Sequence, residues 1–141
     1  MKKYFGLFLL IFIALGCSDE KENSKNPYLP NYAFSMTLNM NLPLYSGLQS
    51  PMNPIMITEG GSGVNILIMK ISNTDYRAWD ANCPNQYPSS CSVMKINGIN
   101  AKCDCDELEY SLFTGLGTTE YPMKNYPVQV LDDTTIRVYN N

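Results

Sequence analysis

Four cysteines, Cys83, Cys91, Cys103 and Cys105, crowd one short stretch of the chain, and a fifth, Cys17, stands apart near the N-terminus. Thiols at that density can close two disulfides, surround Zn²⁺ tetrahedrally at ~2.3 Å, or hold an iron–sulfur centre. Cys103 and Cys105 are two apart, so on an extended chain their side chains point to one side. The paired C-x-x-C knuckles of a zinc site are missing, which weighs against a four-thiolate zinc centre. No histidine occurs anywhere in the chain. Ser–His–Asp triads, imidazole-ligated zinc and imidazole acid–base chemistry are therefore excluded. Asp104 lies between the second pair of cysteines, and Asp106, Glu107 and Glu109 follow it. They fit no calcium loop and read as a solvated loop face.

The elements that must position these cysteines read as strands. Of 141 residues 45% are apolar and 16% charged, a globular composition poor in charge. Phe34, Met36, Leu38, Met40, Leu42 and Leu44 alternate with polar residues, which predicts a strand with one buried face running up to Pro43. Ile55–Ile57, the nearly continuous apolar run Val64–Ile71, and Tyr76–Trp79 predict three more. Gly60-Gly61-Ser62-Gly63 is a turn and lacks the Lys-Ser/Thr of a phosphate loop. Tyr76 and Trp79 read as core aromatics. Further short strands are predicted near Ser92–Ile96, Ile99–Cys103, Leu108–Leu112, Val128–Leu131 and Thr135–Tyr139. No stretch carries a helical period, so the expected fold is all-β, a small antiparallel sandwich or barrel.

The N-terminus carries an address. Lys2 and Lys3 precede an apolar run from Tyr4 to Ala14, too short for a permanent membrane helix and of the length of a signal sequence. Ala14-Leu15-Gly16-Cys17 resembles the lipobox of bacterial lipoproteins, which implies diacylglycerol on the Cys17 sulfur. Ser18 in place of Asp implies the outer membrane rather than the inner, on the periplasmic face or the cell surface. Residues 1–16 are expected to be a signal peptide, 17–31 a solvated lipid-anchored tether, and 32–141 one β domain. Losing Lys2 and Lys3 with the signal takes the net charge from −3 to −5, which argues against nucleic acid.

The cysteine region is similar to the Rieske iron–sulfur family. That family binds a 2Fe–2S cluster with two loops, C-x-H and C-x-x-H, the second followed by an aromatic, a short strand and Thr-Gly. Here Cys83-Pro84-Asn85 and Cys103-Asp104-Cys105-Asp106 match the loops, and Tyr110 and Thr114-Gly115 match the landmarks. Asn85 and Asp106 stand at the two histidine positions, and Glu107 where the family usually has Gly. An amide binds iron feebly and a carboxylate is a hard ligand, so no ordinary cluster is expected. The resemblance implies a Cys91–Cys105 disulfide, like the one joining the loops in respiratory members. It also brings Cys83 and Cys103 together, where in the absence of iron they could oxidise to each other. A 2Fe–2S centre of altered ligation on Cys83, Cys103, Asp106 and Asn85 remains the alternative, and zinc on the four cysteines a lesser one.

The expected role is non-catalytic: a membrane-anchored binding or accessory module of the envelope, with no cofactor, acting on an unidentified envelope protein or ligand. The alternative is an electron carrier for an envelope oxidoreductase system.

Overall fold

The computed structural model describes residues 26–141, so the expected signal peptide, Cys17 and most of the expected tether lie outside the described residues. The architecture follows from one strand. In β3 (Asn65–Lys70) Ile66, Leu67, Ile68 and Met69 are all fully buried, so both faces of the strand are covered. Ile66 and Ile68 join one apolar cluster with Leu38, Leu48, Tyr126, Ile136 and Val138. Leu67 and Met69 join a second with Trp79, Met94, Tyr110, Leu112, Cys83 and Cys103. Period-two alternation thus makes β3 the wall between two cores.

Around that wall, β2 (Ile55–Thr58), β3, β4 (Tyr76–Asp80) and β8 (Asn125–Tyr126) form an antiparallel sheet in that order. A second sheet, β1 (Phe34–Asn39), β10 (Thr135–Asn140) and β9 (Val128–Asp132), covers the first core. Its first strand pairs with its last in register from Phe34–Asn140 to Asn39–Thr135. A third, β5 (Lys95–Asn97), β6 (Asn100–Lys102) and β7 (Glu109–Ser111), helps to enclose the second core. The fold is all-β and antiparallel, as the alternation predicts.

Three details depart from the expectation. The first strand stops at Asn39, whose side-chain oxygen accepts the Asn41 N–H at 2.9 Å, an Asx turn that diverts the chain. Pro43 then opens a 3-10 helix, Pro43–Gln49, which leaves Leu42 and Leu44 exposed and buries Leu48. Proline is preorganised for that first helical position. β8 is only two residues long and carries no readable alternation. Finally, residues 26–31 pack on the domain instead of forming solvated tether. Leu29 is buried, Tyr28 meets Tyr87 and Tyr121 edge to face, and Lys124 Nζ donates to Pro30 O at 2.8 Å. Their sequence carries no apolar period because they are held by aromatic and polar contacts with distant residues.

Candidate functional site: two cysteine loops

The first loop, 81–94, leaves β4 at Asp80, a carboxylate buried to 2% exposure. Its Oδ1 accepts the Asn82 N–H at 2.8 Å and the Asn82 side-chain amide at 2.9 Å, and Oδ2 accepts the Tyr126 hydroxyl at 2.7 Å. A buried carboxylate needs such partners, and here they fix the direction in which the loop departs. The neck closes through Cys83 N to Ser92 O and Met94 N to Ala81 O, both 2.7 Å. The second loop, 103–108, closes through Cys103 N to Leu108 O at 2.9 Å. Asp106 Oδ1 accepts the Leu108 N–H at 3.0 Å. Glu107 takes the left-handed conformation at φ 60°, the backbone that the glycine at the matching family position would adopt without cost.

These loops bring all four cysteines together. Cys83 is bonded to Cys103 with Cα atoms 5.6 Å apart, and Cys91 to Cys105 with Cα atoms 5.2 Å apart. The two bridges differ in setting. Cys83 and Cys103 are fully buried in the second core, Cys105 is half-buried and Cys91 is exposed. The sulfurs of Cys83, Cys103 and Cys105 all lie within 4.8 Å of one another. Ser89 Oγ lies 3.4 Å from Cys91 Sγ and 3.6 Å from Cys105 Sγ, while Gln86 Nε2 lies 4.0 Å from Cys103 Sγ.

Asn85 does structural duty. Its amide nitrogen donates to Thr119 Oγ1 at 2.7 Å and Tyr121 O at 2.8 Å, with Tyr110 Oη at 3.2 Å, and its Oδ1 accepts the Tyr121 N–H at 3.0 Å. It latches segment 119–121 across the first loop. Asp106 is exposed, commits its carboxylate to the turn, and is not among the metal-competent donors gathered with the cysteines. The alternative ligand set Cys83, Cys103, Asp106 and Asn85 therefore does not fit an iron–sulfur cluster. Both thiols are oxidised to each other, and the other two groups are hydrogen-bonded elsewhere. The four-thiolate zinc set likewise exists only as two disulfides. Of the remaining acidic residues, Asp104 pairs with Lys95, and Glu109 accepts from Asn97 at 2.7 Å.

Asn85→Ala should unlatch residues 119–121 and lower stability by about 2 kcal/mol, since several part-buried hydrogen bonds go together. Hydrogen exchange at the Tyr121 amide checks it, and an unchanged protection factor would contradict the latch.

Trp79, read as core, is 6% exposed and donates from Nε1 to Leu112 O at 2.9 Å. The Asp80–Tyr126 pair escaped sequence reading. Its one signal there was a lone carboxylate ending a buried strand. Burial, then the Asp80 charge, raises the Tyr126 phenol well above its ordinary value of 10.0. The folded group thus holds its proton where the unfolded one has lost it. Stability from this term is complete below pH 10 and is lost as pH climbs beyond it. Thermal melts should fall more steeply above pH 10 for the parent than for Tyr126→Phe; parallel curves would rule this linkage out.

No protein-family model and no curated protein matches the chain. Solved structures are similar to it. One is described as a candidate NADH-dependent nitrite reductase small subunit from Mycobacterium tuberculosis, 14% identical over 79% of this chain and 98% of that one, with a TM-score of 0.49. The ferredoxin of carbazole 1,9a-dioxygenase from Nocardioides aromaticivorans is 16% identical over 75% and 99%, TM-score 0.49. The E. coli protein NirD is 13% identical over 77% and 99%, TM-score 0.46. The domain itself is all-β, with two disulfide-linked cysteine loops set between short antiparallel strands.

Proposed function

We propose that this chain is a lipid-anchored accessory or binding module of the cell envelope, built on a Rieske-like domain that carries no cluster. The supporting observation is the fate of the four ligand positions. Cys83 and Cys103 are bonded to each other, while Asn85 and Asp106 hold the loops through hydrogen bonds. A Rieske centre needs two thiolates on one iron and two imidazoles on the other, and a chain without histidine supplies none. The loops then act as a stapled scaffold, and the first of them presents the exposed ring of Tyr87. Membrane attachment rests on the lipobox-like Ala14–Cys17 and outer-membrane placement on Ser18. The partner is an envelope protein or ligand.

Iron and acid-labile sulfide analysis of aerobically purified full chain tests this reading. A colourless protein with no iron and no free thiol beyond Cys17 is expected. A brown protein with two irons and two sulfides per chain would replace it with an electron carrier, the role that the close approach of three cysteine sulfurs would then serve. Cys17→Ser should move the protein from the membrane fraction to the soluble one.

A further inference from the structure

We infer that the two disulfides form one thiol–disulfide exchange unit, in which the exposed Cys91–Cys105 bridge passes reducing equivalents from an external dithiol to the buried Cys83–Cys103 bridge. Both cysteines of the inner bridge are wholly inaccessible, whereas Cys91 is exposed and Cys105 half-buried. A reagent in water can therefore attack only the outer bridge while the domain stays folded. Cys105 Sγ, in turn, lies within 4.8 Å of both inner sulfurs. About 3 Å of travel brings it to the ~2.05 Å of a bond. Exchange also needs a stabilised leaving thiolate. Ser89 Oγ sits 3.6 Å from Cys105 Sγ, and Gln86 Nε2 sits 4.0 Å from Cys103 Sγ. Each sulfur that must leave has a donor beside it.

The steps balance. One thiolate of the dithiol attacks Cys91 Sγ, forming a mixed disulfide while the Cys91–Cys105 bond breaks and Cys105 departs as a thiolate. The second thiol of the reagent displaces Cys91, which takes up a proton, and the reagent leaves as its own disulfide. Two electrons and one proton have then passed from the dithiol monoanion to the protein, with Cys105 left as the thiolate. The Cys105 thiolate next attacks Cys83 Sγ. The Cys83–Cys105 bond forms, the Cys83–Cys103 bond breaks, and Cys103 leaves as the thiolate beside Gln86, with no net electron change. The new bridge ends on half-buried Cys105, where a second dithiol reduces it by two more electrons and leaves four thiols. The recognised substrate class is a small or protein dithiol, or in reverse its disulfide. The inference rests on the disulfide pairing and not on the accessory role.

Dithiothreitol reduction of the full chain, with any free Cys17 first capped by iodoacetamide, tests it. Peptide mapping after acid quench follows the Cys83–Cys103 link over time. That link should disappear at least about tenfold more slowly in Cys91→Ser/Cys105→Ser than in the parent. Loosening of the loops by the lost staple would push the rate the other way, so slowing is specific to the relay. A double variant that keeps its near-UV dichroism and reduces as fast as the parent, or faster, overturns the inference. Should the double variant lose that dichroism, Cys91→Ser alone decides. Its free Cys105 should produce a Cys83–Cys105 linkage in at least about a tenth of the molecules. Finding Cys83–Cys103 alone overturns the relay.

Discussion

Removing the inner bridge with Cys83→Ala/Cys103→Ala should cost the domain about 4–5 kcal/mol, the largest loss expected from any single contact. Chain entropy supplies the first part. A bridge with a sequence separation of 20 contributes about 3.3 kcal/mol, and one with a separation of 14 about 3.0 kcal/mol. That difference decides nothing. Burial decides. Cys83 and Cys103 are fully enclosed among Trp79, Met94 and Leu112, so deleting two sulfurs opens a void worth another ~1 kcal/mol or more. Cys91 is exposed and Cys105 half-buried, so Cys91→Ala/Cys105→Ala should cost about 3 kcal/mol with no cavity added. Urea unfolding of the two double variants measures both values, provided the slopes match. Equal losses, or a larger one at the outer bridge, would contradict the ranking.

Gly115→Ala should cost about 3 kcal/mol, from two sources. Gly115 holds φ +73°, and an added Cβ would stand 2.5 and 2.6 Å from Trp79 Cζ3 and Cη2. The indole cannot easily retreat, because its Nε1 is tied to Leu112 O at 2.9 Å within a filled core. Backbone strain in the left-handed region accounts for ~1 kcal/mol, and overpacking for ~1–3 kcal/mol. Gly98 separates the two. It has φ +61°, and a Cβ added there would meet nothing within 4 Å, so Gly98→Ala should show the strain alone. Thermal melts read the stability, and a shift in Trp79 emission reads the clash. Similar losses at the two glycines, with unchanged emission, would dismiss the indole contact.

How much of this was legible in the chain varies by element. The run from Val64 to Ile71 shows its burial on both faces directly, because polar residues interrupt it only at Asn65 and Lys70. The alternation after Phe34 gives β1 and its buried face but overruns the end, since Leu42 and Leu44 keep the period while the Asn39 turn and Pro43 redirect the backbone. Local hydrogen bonding outweighed pattern there. At the site, clustering of the cysteines was legible and the pairing came only through family resemblance. Asn85 reads as a lost ligand in the sequence. Its actual work depends on Thr119 and Tyr121, more than thirty residues away, and no spacing rule reaches that far. The same holds for Asp80 and Tyr126, separated by 46 residues.

The docking of residues 26–31 sets a leash. Asn26 Nδ2 donates to Pro84 O at 2.6 Å, and Tyr28 leans on Tyr87, so Asn26 is held beside the first cysteine loop. Asn26 lies nine positions beyond Cys17, and an extended chain covers ~3.3–3.6 Å per residue. A lipid carried at Cys17 would therefore hold that loop within about 30 Å of the bilayer surface. Anything meeting those loops on a lipid-anchored chain would then have to reach them within that distance of the headgroups.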